Sequence, residues 1–263
     1  MGLWTKLLLV DAFLPDKGPL DVNKMPEVSD EQLAGLKTLL SFAYGLDQKP
    51  RRGWVMRDIE NPETVTEHSQ ALCHLAVHLA PLVDKRIDPI AAAFMAINHD
   101  IIEYMADDIT PHDTHVSAEE KKQREHAVIN RIEQLPTPNG LSQKVARVWR
   151  EFEEGTTPTA IFVRQLDKMQ LGLQTGFYEE TQNKNMPDMW AYAKAGTHHP
   201  ALTQILNAAF AARPSDVFNR PFTHPHPLSA EEEAAALAAA QKRSTQKFIA
   251  RMERAIARDS ARP

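Results

Sequence analysis

Histidine, aspartate and glutamate crowd into one apolar stretch of this chain, residues 91–111, AAAFMAINHDIIEYMADDITP. Alanine, isoleucine, phenylalanine and methionine make up most of it. His99 and Asp100 sit at its middle, Glu103 follows, and Asp107 and Asp108 close it. Ionisable groups among so many apolar neighbours are costly unless a partner or a cation compensates them. Neighbours on a helix are about 100° apart, so His99 and Asp100 can face one cleft. Glu103 lies one turn further on, on the same side. An imidazole, a carboxylate and a second carboxylate one turn away are the parts of a metal centre with an acid/base group beside it.

Two more polar residues stand in helical, apolar context: His68 in PETVTEHSQ and Asp167 in FVRQLDKMQ. Together His68, His99, Asp100 and Asp167 offer two imidazoles and two carboxylates. Facing helices of a bundle are where such a set is built. Imidazole with carboxylate suits a divalent ion such as Mn, Fe, Co, Ni or Zn. Taken singly, each has a plainer reading. His68 could be a satisfied core histidine, His99–Asp100 a structural pair, and Asp167 a partner of Lys168. His74 and His78 lie one turn apart and read as packing or surface residues. His126 is an alternative ligand for a second ion.

These residues need helices to hold them, and the sequence supplies the signals. S-D-E-Q-L at residues 29–33 has capping character and opens a helix that ends near Gly45. Residues 49–62 read as a loop, with Lys49, Arg51, Arg52 and Arg57 in it. A helix runs from Val65 to about Leu82, with Thr64 or Thr66 as its N-cap. Residues 91–111 form a buried helix. Ser117 and Glu120 have the spacing of a capping box for a helix to about Gln134. Further helices span about 142–154 and 158–178. Beyond them NKNMPD, THHP and RPFTHPHPLS punctuate the tail, and residues 229–258 read as a long, partly exposed helix with a Ser229/Glu232 box. No stretch alternates convincingly, so the expected class is all-α. The expected division is an N-terminal arm at 1–30, a helical bundle at 31–184 and a C-terminal helical extension at 185–263.

Composition narrows the function. The 263 residues carry 43% hydrophobic and 25% charged side chains, ordinary values for a globular protein. A formal net charge of −5 argues against a binder of nucleic acid polymer, which is usually basic. A local basic pocket can still take an anionic small molecule. Cys73 is the only cysteine, which fits a reducing, cytoplasmic setting and leaves metal binding to His and carboxylate. The apolar run in MGLWTKLLLVDAFLP is too short to span a membrane, and Lys6 stands where a myristoylation signal needs Ser or Thr.

Three blocks occur in order: RRGWVMRDIENPETVTEHS, INHDIIEYMADDITP and KVARVWREFEEGTTPTAIFVRQLDKMQ. Over roughly residues 31–180 the chain resembles the HD-domain metal-dependent phosphohydrolases, within them the 5′-deoxynucleotidases. HD alone is a common dipeptide; the three blocks together are specific. The resemblance implies an HD-domain helical bundle and one divalent metal ion (Mn, Co, Fe, Ni, Zn or Mg) on His68, His99, Asp100 and Asp167. It implies that Glu103 positions or activates the attacking water and that Asp108, rather than Asp107, is a second catalytic acid. Trp54 corresponds to a residue that shapes the sugar pocket. In bacterial members an Arg directly before the Trp contacts the phosphate; here that place is Gly53, which leaves Arg52 or Arg57 to do so. The implied substrate is a deoxyribonucleoside 5′-monophosphate, and the implied assembly is a homodimer. A phosphodiesterase or phosphatase for another nucleotide-like substrate, a di-iron oxygenase, and a regulatory module that only binds nucleotide are the alternatives.

Overall fold

The structure, a computed structural model, describes residues 28–106, 108, 116–229, 231–232, 234–239, 242 and 246. The N-terminal arm up to residue 27, Asp107, His112, His115 and most of the expected 229–258 helix lie outside the described residues. Among the described residues the regular elements are helices, joined by a single antiparallel bridge between Pro50 and Thr64. None is long and apolar enough to cross a membrane.

Local signals start most of the helices. α1 (Asp30–Gly45) begins on a capping box between Ser29 and Gln32. α2 (Arg52–Val55) is a single turn inside the expected 49–62 loop. α3 (Val65–Val83) begins on a second box, Thr64 with Glu67. The third box, Ser117 with Glu120, opens α6 (Ala118–Glu133). Each reciprocal cap satisfies two backbone N–H groups that the first turn leaves orphaned.

The central stretch departs from the expected single helix. α4 (Pro89–Asn98) stops before His99, and α5 (Glu103–Ala106) restarts after Ile102. Between them the ladder tightens: Ile101 N donates to Asn98 O and Glu103 N to Asp100 O, each three residues back. The His99 side chain shares in the change, since its Nδ1 lies 2.8 Å from Ala96 O. Backbone carbonyls released from the α-ladder are thereby reused, and the tight turn re-aims His99 and Asp100.

α7 (Leu141–Glu154) and α8 (Pro158–Thr181) follow the expected bounds closely. Two helices come where breakers were read: α9 (Pro187–Gly196) and α10 (Pro200–Ala211). Both place proline at the first helical position, where its missing N–H costs nothing. The main core gathers Leu72 and Ala76 of α3, Met95 of α4, Phe162 and Leu166 of α8, Trp190 of α9, and Leu202 and Leu206 of α10. Helices on both sides of residue 184 therefore share one core. A second cluster joins α1, α6 and α7 through Phe42, Ile129 and Trp149.

Candidate metal centre

His68 sits in the first turns of α3, fully buried, in register because the Thr64 cap fixes where the helix begins. His99 and Asp100 come from the tight turn after α4. Asp167 comes from the middle of α8. The fold brings all four to one point. His68 Nε2 lies 3.3 Å from His99 Nε2, 3.3 Å from Asp167 Oδ1 and 3.6 Å from Asp100 Oδ2. His99 Nε2 lies 3.0 Å from Asp100 Oδ2. His68, His99 and Asp167 hold their ligand atoms within 4.8 Å of one another.

The outer edges of both rings are engaged elsewhere. His68 Nδ1 lies 2.8 Å from Gln170 Oε1, and His99 Nδ1 is held at Ala96 O. With Nδ1 donating in each ring, the two Nε2 lone pairs and the two carboxylates all face inward. A buried cluster made only of acceptors needs a cation at its centre, so these residues fit a divalent metal. Burial works against a charge on His99, but Asp100 and Asp167 outweigh it and raise its pKa above 6.5. Burial also opposes ionisation of Asp100, yet His99, Arg51 and His68 hold it well below the usual carboxylate range. Asp167 is likewise lowered against burial, by Lys168, His68 and His99.

A cavity of about 490 Å³ opens onto this cluster. Its wall includes His99, Asp100 and Asp167, together with Arg51, Trp54, Arg57, Glu103, Asp108, Lys168 and Tyr192. Glu103 is strongly perturbed there. Burial, then Asp100, then Asp108 push its pKa well above 4.5, and its Oε2 is buried without a hydrogen-bond partner. Asp108 Oδ2 accepts from the Arg52 backbone N–H at 2.8 Å, which ties the loop before Trp54 to the far side of the cavity. Trp54 is 1% exposed, and its indole Nε1 donates to Glu63.

The arginines are placed differently from expectation. Arg52 is absent from the cavity wall. Arg57 lines it but is buried, donating to Gly53 O and paired with Asp188. Arg51, read only as one of the basic residues of that loop, reaches in and bonds Asp100 Oδ2 at 2.9 Å. Nothing in RRG says which arginine turns inward; the Pro50–Thr64 bridge decides it by pinning Arg51 N to Glu63 O. Lys168, read from the sequence as a partner for Asp167, does pair with it at 2.8 Å and lies 4.9 Å from the Tyr192 ring. The spare histidines stand apart: His74 and His78 stack on an exposed face of α3, and His126 packs edge-on against Trp149.

Comparison with known proteins agrees with this geometry. The HD-domain family profile matches residues 45–207. The mouse protein named 5′-deoxynucleotidase HDDC2 is 32% identical over 176 residues, spanning 66% of this chain and 86% of the mouse protein. The human protein of that name is 30% identical over 188 residues, spanning 70% of this chain and 90% of its own length. The crystal structure of the PH0347 protein from Pyrococcus horikoshii OT3 superposes with a TM-score of 0.57 at 27% identity, covering 66% of this chain and 97% of that one. The matched span takes in α3, the turn after α4, and α8, the three elements on which His68, His99, Asp100 and Asp167 lie, and the chain belongs to the HD-domain family.

Proposed function

We propose that this chain is a metal-dependent 5′-deoxynucleotidase that hydrolyses deoxyribonucleoside 5′-monophosphates to deoxynucleoside and phosphate. The observation that carries the reading is the convergence of His68, His99, Asp100 and Asp167 beside a cavity walled by Trp54. The relatives named 5′-deoxynucleotidase support the choice of substrate. The four residues would hold one divalent ion, with Mn, Co, Fe, Ni, Zn and Mg as the candidates. When bound, such an ion acidifies water and offsets charge on phosphoryl oxygens.

The remaining work falls to the chain. Arg51 offers a guanidinium suited to gripping phosphate in two places. Glu103, with its raised pKa, is a carboxylate basic enough to take a proton from the attacking water. Asp108 stands across the cavity, oriented by the Arg52 amide, to protonate the leaving 5′-oxygen. Trp54 presents a buried indole against the sugar, where a 2′-hydroxyl finds no room. Arg57, fixed by Asp188, supports that wall. A homodimer and a cytoplasmic location belong to the same reading.

The test is a release assay with each common dNMP and NMP in Mn, Co and Mg. Phosphate release favouring the deoxy series is the expected result; none from any nucleotide defeats the reading. Asp167→Ala is expected to lose bound metal by elemental analysis and at least about 100-fold in rate, since even outer partners of metal ligands are worth 10–100-fold. Full metal content in that variant removes Asp167 from the ligand set.

A further inference from the structure

A buried line of hydrogen bonds runs from the metal cluster to the substrate wall through two residues that do not line the cavity, Gln170 and Glu63. His68 Nδ1 meets Gln170 Oε1 at 2.8 Å. Gln170 Nε2 donates to Glu63 Oε2 at 2.9 Å. Trp54 Nε1 donates to Glu63 Oε1 at 3.0 Å. Glu63 and Gln170 are 8% and 3% exposed, so water does not substitute for these partners.

The direction of every bond follows from its far end. An indole N–H can only donate, and a carboxylate can only accept. Glu63 thus receives Trp54 on one oxygen and must receive the amide N–H of Gln170 on the other. That orients the amide and turns its oxygen toward His68. His68 must then carry its proton on Nδ1, which leaves the Nε2 lone pair facing Asp100, Asp167 and His99. Chain geometry reinforces the grip. Asp167 and Gln170 are three residues apart on α8 and meet opposite edges of the His68 ring. Glu63 directly precedes the α3 cap, and its own N–H is fixed by Tyr178 Oη at 2.7 Å.

We propose that Glu63 and Gln170 are positioning residues: they set His68 in the tautomer that ligates a cation and tie that ring to the Trp54 wall of the substrate cavity. The inference rests on the metal-centre part of the proposed function and is independent of which ester is cleaved. Metal ligands whose outer partners are removed typically lose 10–100-fold in affinity.

The test titrates purified metal-free protein with Mn²⁺ by calorimetry, with no nucleotide present, and records thermal melting of the same metal-free samples. Gln170→Leu and Glu63→Gln are each expected to weaken Mn²⁺ binding by about 10–100-fold. In Glu63→Gln one amide cannot accept from both Trp54 and Gln170. The double exchange Glu63→Gln with Gln170→Glu rebuilds all three bonds: the 63–170 bond reverses, with the amide at position 63 donating to the carboxylate at position 170, while Trp54 Nε1 and His68 Nδ1 still donate. It is expected to return affinity to within about threefold of the native protein. Trp54→Phe, which removes a residue with no ligating atom, is expected to weaken Mn²⁺ binding by about threefold. Single variants that melt lower yet bind Mn²⁺ as tightly as native overturn the proposal, as does a double exchange no tighter than the singles. Failure of the native protein to hydrolyse any nucleotide would strike the proposed substrate and leave these titrations decisive.

Discussion

At the scale of single residues, Glu103 is at odds with its surroundings. Its carboxyl is buried, one oxygen lacks a partner, and Asp100 and Asp108 are close. The folded protein therefore keeps the Glu103 proton to a higher pH than the unfolded chain, whose glutamate titrates near 4.5. Between those two values the folded state binds more protons, so stability falls as pH rises through the window. Glu103→Gln removes the charge and keeps the shape. Metal-free Glu103→Gln is expected to melt above the native protein at pH 8, with the gap closing toward pH 4, while phosphate release is lost. Identical melting at pH 8 would show that the carboxylate is tolerated there without cost. The residues that the fold gathers into the candidate site were largely legible, because His and Asp in apolar helical context are expensive and so stand out. Arg51 was not, since three arginines in one loop look alike until something pins the backbone.

At the scale of elements, α8 does two jobs on two faces. One face presents Asp167 and Gln170 to His68. The other carries Gly172 against α9 and α10, where an added Cβ would lie 2.5 Å from Leu206 Cδ1 and 3.0 Å from Ala193 Cβ. Both neighbours are fully buried and have nowhere to go. Alanine in place of a helical glycine gains about 1 kcal/mol of propensity. Overpacking a closed core costs about 1–3 kcal/mol. The clash should win, and Gly172→Ala is expected to lower the melting temperature by several degrees and to weaken metal binding, as α8 shifts. A higher melting temperature would mean that α9 and α10 yield easily. Three helix starts could be read from Ser29, Thr64 and Ser117, because capping boxes are local. The interruption of the central helix at residues 99–102 could not. Residues 91–111 carry no breaker at that place, and only the fold sets His99 and Asp100 beside His68 of α3.

At the scale of the whole molecule, one buried ion pair closes the fold. Arg213, just beyond α10, meets Glu179 near the end of α8 at 2.6 Å, with side chains 2% and 0% exposed. Glu179 also accepts from Met186 N and Trp190 Nε1. The pair thereby ties α8, the start of α9 and the following strap. That strap continues to Thr223, whose N–H donates to Asn185 O, and to His226, whose N–H donates to Met56 O beside the Trp54 wall. Removing one partner strands a charge, and Arg213→Met is expected to cost about 3–5 kcal/mol by urea unfolding. The double variant Arg213→Met with Glu179→Gln is expected to recover part of that loss. A single variant within about 1 kcal/mol of native would show that water reaches the pair.

The sequence by itself determined the helical class, the starts of the long helices, the family resemblance and the choice of His68, His99, Asp100 and Asp167 as candidates, which the fold sets side by side. These are matters of local periodicity, capping and the rarity of buried polar groups. Tertiary structure decided which arginine enters the cavity, which residues past 184 join the main core, and which partners the His68 and His99 rings meet. The physical reason is the same in each case. Pro187 and Pro200 read as breakers because a chain shows only where a helix cannot continue, whereas their helices exist because Trp190, Leu202 and Leu206 have a core to enter. Gln170 and Glu63 look like ordinary polar residues until the fold lays one against the other, 107 positions apart along the chain.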